Sequence, residues 1–153
     1  MALGKMLGGV FMWIYEKKLQ YPVDIKKRDV RMAKAIYEEL GGSDGELSAS
    51  MEYLQQRYTM PTGQSIATLT DIGTEELAHL EIVSALIFQL TEGATIEEIK
   101  RAGFDGTYAS RGISVFLADP EQTPWTSAYI DMKGDPVADI ASNMGAEQRA
   151  RAG

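Results

Sequence analysis

The chain has 153 residues, with 22 Asp and Glu against 15 Lys and Arg, which gives a formal net charge of −7. This length suits one domain spanning 1–153. The excess of acidic residues argues against general nucleic-acid binding and against a polybasic surface that binds membranes. The sequence contains no cysteine, which excludes disulfides, thiolate zinc sites, iron–sulfur clusters and cysteine catalysis. It contains a single histidine, His79, and no Gly-x-Ser-x-Gly motif, so a hydrolytic triad is not expected.

The N-terminal run is apolar, but it has neither the length of a membrane span nor the pattern of an export signal. Met1 to Ile14 is interrupted by Gly8 and Gly9, and no small-residue cleavage site follows it. We therefore expect residues 1–11 to form a packing arm of a cytoplasmic protein that does not span a membrane. Residues 15–22 form an extended lead-in that ends at a proline.

Two amphipathic helices are predicted next. The first runs from Asp29 to Leu40 and stops at the pair Gly41-Gly42. The second begins at Ser43 and reaches about Tyr58. Its predicted apolar stripe is Leu47, Met51, Leu54 and Tyr58.

Two residues of the second helix have a structural and a functional interpretation. Ser43 and Glu46 have the spacing of a capping box, so Glu46 is either a helix cap or a metal ligand. Tyr53 lies two turns after Glu46 on the same side of the helix. Its hydroxyl group could orient a ligand carboxylate, or the side chain could be an ordinary half-buried tyrosine.

A long helix is predicted over 64–90, because its seam residues step by three and four. Glu76 lies in this seam, where a lone carboxylate would lose hydration without compensation. His79 follows one turn later and can reach the same point in space. Glu-x-x-His is the element that dimetal helix bundles use, although short matches also occur by chance. The seam residues are Ile66, Leu69, Gly73, Glu76, Leu80, Val83, Ile87 and Leu90.

The segment after the long helix has few periodic signals. A short helix is predicted from about Thr95 to Ala102. Residues 103–134 are rich in Gly, Pro and aromatic residues, and such a long irregular segment is expected to wrap the bundle or a neighbouring subunit. A short strand is expected over 113–117.

The last predicted helix starts at Asp135-Pro136, where proline suits the first helical position. Val137, Ile140, Met144 and Glu147 again step by three and four, which places a second acid in an apolar seam. The alternative is a helix end at which Glu147 faces water beside Arg149 and Arg151.

These acids fit most of a carboxylate-bridged dimetal bundle. Such a bundle takes one Glu from each of two helices and a Glu-x-x-His from each of the other two. Glu46 and Glu147 are the single acids, and Glu76 with His79 is one full motif, so we predict an all-α bundle with three of its four core helices in this sequence. Oxygen-rich ligation without sulfur suits manganese or ferrous iron.

Four ordered blocks of the sequence resemble the manganese catalases, including their shorter spore-coat relatives. The resemblance covers about Met12 to Arg151. It implies a ferritin-like bundle, two manganese ions, and disproportionation of hydrogen peroxide to water and dioxygen. The blocks are Met12–Tyr21 (MWIYEKKLQY), Gly41–Leu47 (GGSDGEL), Asp71–Glu81 (DIGTEELAHLE) and Gly134–Asp139 (GDPVAD) followed by Gly145–Arg151 (GAEQRAR).

The resemblance also implies a role for each candidate residue. Glu76 would bridge both metals and Glu147 would bind the second, and these two are the expected catalytic residues. Glu46 and His79 would complete the first metal site. Tyr53 matches a family tyrosine that hydrogen-bonds a ligand carboxylate. The implied chemistry is a two-electron cycle between Mn(II) and Mn(III), with iron as the alternative metal.

The sequence departs from the family pattern at two places. The family takes its second His from a helix beyond the Glu147 motif, and this chain has only His79. Some members hold calcium through two acids; Asp71 matches one, but Ala67 stands at the other position, so calcium is not predicted.

The missing histidine leaves three interpretations. The sequence is a fragment of a longer catalase, or a neighbouring subunit completes an iron or manganese oxidase site, or the chain is a structural spore-coat-like or ferritin-like protein without catalase activity. In each case we expect a homo-oligomer, because the bundle leaves an apolar groove to cover. The expected location is the cytoplasm, with the spore coat as the alternative.

Overall fold

The computed structural model describes residues 14, 16, 18–105, 118–121 and 123–152. This part of the chain is mostly helical, as predicted. None of its helices is both long and apolar enough to cross a membrane. The principal helices are α1 (Val30–Gly41), α2 (Glu46–Gln56), α3 (Gly63–Thr91), α4 (Ile96–Arg101) and α5 (Pro136–Ala152).

The helices α1 and α4 begin and end within one residue of their predicted bounds, and the start of α5 also agrees with the prediction. Asp29 caps α1 by accepting hydrogen bonds from the amides of Arg31 and Met32. Thr95 caps α4 through a capping box with Glu98. The α5 helix begins at the predicted Pro136. These ends were predictable because capping residues and proline act locally.

The long helix α3 carries the rest of the bundle. It begins at Gly63, behind a capping box between Thr62 and Ser65, and ends at Thr91. Its predicted seam is buried or half-buried, except that Ile66 near its start is exposed. At 29 residues it extends for about 43 Å, enough to pack against α1 and α2 in succession.

The helices α1 and α2 lie one after the other along α3. The Asp29 amide donates to the Leu90 carbonyl at 3.0 Å, so the start of α1 adjoins the end of α3. Gly73, in the first half of α3, lies against Leu54 of α2. The chain therefore enters α1 beside the end of α3 and passes through α2 toward the start of α3, so both helices run antiparallel to α3.

One apolar cluster joins α1 to the second half of α3. Tyr37 and Phe104 form its centre, with ring centroids 4.8 Å apart in an edge-to-face arrangement. Aromatic pairs in this geometry contribute about 0.5–1.5 kcal/mol beyond their burial. The buried members of the cluster are Val30, Ala33, Tyr37, Leu40, Val83, Ile87, Leu90, Ile99, Phe104 and Ala118.

The predicted stripe of α2 is wrong. Met51 and Tyr58 are exposed, Leu47 and Leu54 are only half-buried, and the α-helix ends at Gln56, before a 3-10 turn at Arg57–Thr59. The helix instead buries a mostly polar face, because this face lies between α3 and α5. The buried residues are Ser48, Ser50, Glu52, Tyr53 and Gln56.

The predicted seam of α5 is also wrong in part. Val137 is 80% exposed and Met144 is 67% exposed, whereas Ile140 is half-buried. The residues that α5 buries are Asp139 and Asn143. The helix is therefore rotated from its predicted phase, with a polar stripe facing α2.

The described parts of the segment 103–134 contact the bundle. Phe104 enters the apolar cluster, Ala118 lies against Gly41, and the Trp125 Nε1 group donates to Ser48 Oγ at 2.9 Å. Gly103 has a φ of +69°, which lets the chain turn at the end of α4. The wrapping of the whole segment stays a prediction, because residues 106–117 and 122 lie outside the described part. So do the predicted strand and the N-terminal arm.

We predict that Gly41→Ala destabilises the protein. A Cβ atom at Gly41 would lie 2.5 Å from the backbone nitrogen and oxygen of Ala118, so the backbone must shift. Overpacking of this kind costs about 1–3 kcal/mol. Gly63→Ala is the matched control, because nothing lies within 4 Å of its added Cβ. Urea denaturation of both variants measures the difference; equal stability would contradict the close packing at Gly41.

Candidate metal centre

The candidate centre is formed first by α2 and α3. Gly73 lies one turn before Glu76 on the buried side of α3, and a Cβ there would lie 2.9 Å from Leu54 Cγ. The missing side chain thus allows α2 to approach α3 closely. This approach brings Glu46, at the first turn of α2, to the same level as Glu76.

Three of the predicted ligands come together. One ligand atom from each of Glu46, Glu76 and His79 lies within 4.8 Å of the others. His79 Nδ1 is 2.8 Å from Glu76 Oε2 and 3.7 Å from Glu46 Oε2. Glu76 is 7% exposed, whereas the His79 side chain is 35% exposed, so the group is open on the histidine side.

The capping interpretation of Glu46 is excluded. The N-cap of α2 is Gly45, and no side chain makes a capping hydrogen bond there. Ser43 and Glu46 therefore do not form the capping box that their spacing suggests. The Glu46 carboxylate points to the group with Glu76 and His79 instead.

Burial makes it costly for the carboxyl groups of this cluster to be ionised. It raises the pKa of Glu46 to about 9, mainly by desolvation, then by a hydrogen bond with Glu76 and by the negative charges of Glu76, Glu39 and Glu147. A proton on Glu46 therefore offsets part of this negative charge. A divalent cation among these oxygens would replace that proton and offset the charge. The donor set of two carboxylates and one imidazole fits manganese or ferrous iron, as expected.

Glu147 lies beside this group but is not one of its three members. It is exposed on α5, and the Tyr53 hydroxyl donates to its Oε1 at 2.5 Å. Burial, followed by this hydrogen bond, raises the pKa of Tyr53, so the phenol remains a donor. Tyr53 thus contacts the carboxylate of Glu147, which is close enough to affect the pKa of Glu46.

Sequence reasoning missed a buried polar network next to the site. Gln56 of α2 and Asn143 of α5 hydrogen-bond to each other through their amides, and Gln56 also donates to Glu52. One signal could have revealed it. Asp139, Asn143 and Glu147 are spaced four residues apart, which places three polar residues along one stripe of α5.

Comparison with known proteins decides the family. Residues 12–153 match the family described as manganese containing catalase. The chain belongs to the manganese catalase family. The fold agrees, since the crystal structure of KatB, a manganese catalase from Anabaena, superimposes with a TM-score of 0.82 at 32% identity. This match covers 92% of the chain and 63% of KatB, and it supports the predicted ferritin-like bundle.

Two relatives differ in how much of their length the chain matches. Protein CotJC of Bacillus subtilis (strain 168) is 46% identical over 141 residues, which are 92% of this chain and 74% of CotJC. The manganese catalase of Lactiplantibacillus plantarum is 34% identical over 152 residues, covering 92% of this chain and 57% of that protein. The chain therefore spans less than two thirds of the length of KatB and of the Lactiplantibacillus plantarum catalase, but 74% of the length of CotJC.

We predict that Tyr53→Phe lowers the affinity for Mn(II) by about 10–100-fold, the usual effect of losing a group that orients a metal ligand. The ring would still pack in the small cluster with Met60 and Leu69, so the fold should persist. Tyr58→Phe is the control, because Tyr58 is exposed and its hydroxyl contacts only Arg57 among the described residues. Electron paramagnetic resonance titration with Mn(II) compares them. Unchanged affinity in Tyr53→Phe would contradict the proposed orientation of Glu147.

Proposed function

We propose that this protein disproportionates hydrogen peroxide to water and dioxygen at a centre of two manganese ions. The observation that carries the proposal is the convergence of Glu46, Glu76 and His79 within 4.8 Å in a chain of the manganese catalase family. Bound manganese would supply the reversible two-electron chemistry. In balance, two molecules of hydrogen peroxide give two of water and one of dioxygen.

Each residue has a distinct proposed role. Glu76 would be the carboxylate shared by both ions, since it is the most buried of the three candidate ligand acids and contacts both His79 and Glu46. Glu46 and His79 complete the first ion site. Glu147 binds the second ion and is available for proton transfer. Because the Tyr53 hydroxyl donates to Oε1 of Glu147, the Oε2 atom of Glu147 is left to bind the ion or accept a proton.

The second ion needs an imidazole that these residues do not supply, because His79 is the only histidine. The additional ligand comes from further sequence, or two copies of the chain share one two-ion centre to which each contributes its His79. The open side of the centre supports either source, since His79 and Glu147 both have exposed surface there.

A structural or ferritin-like role without catalase activity is the second candidate. The single histidine favours it, and so does the similarity to CotJC, of which the chain matches 74%. Such a protein would keep the bundle and the group of Glu46, Glu76 and His79. It would bind about one ion and release no oxygen. A location in the cytoplasm or in the spore coat stays a prediction under either candidate.

Glu76→Gln tests the proposed centre. We expect it to lose bound manganese and oxygen release, because an amide cannot bridge two cations. Glu75→Gln is the matched control: Glu75 is the preceding residue, is exposed, and accepts a hydrogen bond from Gln20. Elemental analysis and an oxygen electrode are applied to the same samples.

The wild type distinguishes the two candidates in this experiment. Oxygen release supports the catalase, with about two manganese ions per chain, or about one if two chains share a centre. Iron loading without oxygen release supports an oxidase or storage role. About one ion and no oxygen supports the structural candidate. Full retention of two ions by Glu76→Gln would overturn the bridging role.

We further propose that the chain self-associates through the outer face of α5. This face exposes Val137 and Met144 beside Glu147, where a second copy could also complete the centre. Met144→Arg should therefore shift the protein toward monomer in light scattering. Ile96→Arg, at an exposed apolar residue of α4, should not. A monomeric wild type, or equal effects of both variants, would contradict this interface.

A further inference from the structure

The packing of α5 on α2 includes few apolar contacts in the described part of the chain, chiefly that of Ile140 with the small cluster of Tyr53, Met60 and Leu69. Asp139 and Asn143 are the buried residues of α5, whereas its apolar residues Val137 and Met144 are exposed and Ile140 is half-buried. Hydrophobic burial therefore discriminates only weakly between alternative registers of the two helices. Because Glu147 is on α5, and Glu46 and Tyr53 are on α2, the register decides whether these side chains meet.

Two of the polar contacts of α5 do not set this register. Asp139 is fully buried, but it accepts hydrogen bonds from the amides of Lys133 and Gly134, so it holds the preceding chain rather than α2. Arg149 makes two hydrogen bonds of 2.8 Å to Asp44, but its side chain is 61% exposed. Ion pairs at this exposure stabilise weakly.

Among the described residues, the buried contact between α5 and α2 away from the centre is a pair of amides. Gln56 Nε2 donates to Asn143 Oδ1 at 3.0 Å, and Asn143 Nδ2 donates to Gln56 Oε1 at 2.6 Å. Gln56 Nε2 is also 3.1 Å from Glu52 Oε1, and Glu52 Oε2 accepts from the Asp131 amide at 3.0 Å. Rotation of the Asn143 amide would place its nitrogen 2.8 Å from both Glu52 Oε1 and the Asp139 carbonyl oxygen, so Asn143 keeps buried hydrogen-bond partners in either orientation.

Displacement of α5 by one turn would separate these buried groups. Each amide would then lose its partner in a site that water does not reach, which is costly. A pair of apolar residues would tolerate such a displacement. Buried polar pairs of this kind are known to select one register between packed helices, and they do so more reliably than they add stability.

We propose that Gln56 and Asn143 form a positioning pair that sets the register of α5 and thereby brings Glu147 to Tyr53. Asn143 precedes Glu147 by four residues, and Gln56 follows Tyr53 by three. Because α2 and α5 run antiparallel, three residues forward on α2 and four residues back on α5 lead about one helical turn in the same direction. The Gln56–Asn143 pair therefore lies about one turn from the Tyr53–Glu147 contact. The register part of this inference stands alone, whereas its consequence for metal binding rests on the proposed role of Glu147.

The test replaces both amides with apolar residues of similar shape, as Gln56→Met/Asn143→Leu. Since the natural chain has no cysteine, Ala35→Cys and Ala141→Cys provide unique spin labels on exposed positions of α1 and α5. Double electron–electron resonance on metal-free protein then reports the displacement of α5 along the bundle. Manganese binding is measured separately on unlabelled protein. Asp44→Asn/Arg149→Gln is the control, because it removes the exposed polar contact between α5 and the α1–α2 turn.

We expect the double variant to keep its helical circular dichroism while the label distance broadens or shifts by up to about 5 Å, one helical turn. Manganese should fall from about two ions to about one per chain. The control should match the wild type in both measurements. An unchanged label distance in the double variant would overturn the proposal, and so would a shifted distance with full manganese binding.

Two provisions keep the test decisive. In the double variant, Glu52 loses the hydrogen bond that Gln56 donates to it. If the double variant does not fold, the single variant Asn143→Ala is used in its place, because it keeps Gln56 and this hydrogen bond. The expected shift and the contradicting outcomes are the same. If the wild type releases no oxygen, the proposed function fails, but the label distance on metal-free protein still decides the register.

Discussion

The burial of the Glu76 carboxylate in an apolar helix seam is the constraint on which the site depends. A buried anion needs a cation, a proton or strong donors, and here the nearest groups are a second carboxylate and an imidazole. The local sequence accommodates this group at each step. Gly73 allows α2 to approach, and Gly45 takes the N-cap position and leaves Glu46 unengaged at the helix start.

The bundle divides its stability and its chemistry between two regions. Around α1 and the second half of α3 the interior is apolar and is centred on Tyr37 and Phe104. Around α2 and α5 the buried residues are largely polar, and Gln56 hydrogen-bonds to both Glu52 and Asn143. Such an interface contributes less hydrophobic stabilisation, but it determines the geometry of its side chains more strictly. The apolar region therefore supports an interface that is built for position rather than for stability.

The same division explains how far the sequence predicted the structure. The seam of α3 was predictable because apolar periodicity reports burial when the buried face is apolar, and Glu76 was identified as an exception within it. The stripe of α2 was wrong because the rule treats Ser48 and Gln56 as exposed, although both are buried.

On α5 the rule likewise selected Val137 and Met144 over Asp139 and Asn143. The ligand candidates could still be named, because Glu-x-x-His and the family blocks depend on local spacing. What local spacing could not provide was the partner of each buried polar group, since that partner comes from a different helix. The Gln56–Asn143 pair joins residues 87 positions apart in the sequence and was visible only in the structure.

The packing that positions Glu46, Glu76 and His79 is more extensive than the packing that positions Glu147. Glu46, Glu76 and His79 belong to α2 and α3, whose packing includes the close contact at Gly73. Glu147 depends on α5, which is held by a few polar contacts and carries an exposed apolar face. A change in that one interface would displace Glu147, the proposed ligand of the second ion, without unfolding the apolar region. Under the proposed assignment, such a bundle would change from a two-ion enzyme to a one-ion structural protein through few substitutions, because Glu46, Glu76 and His79 do not lie on α5.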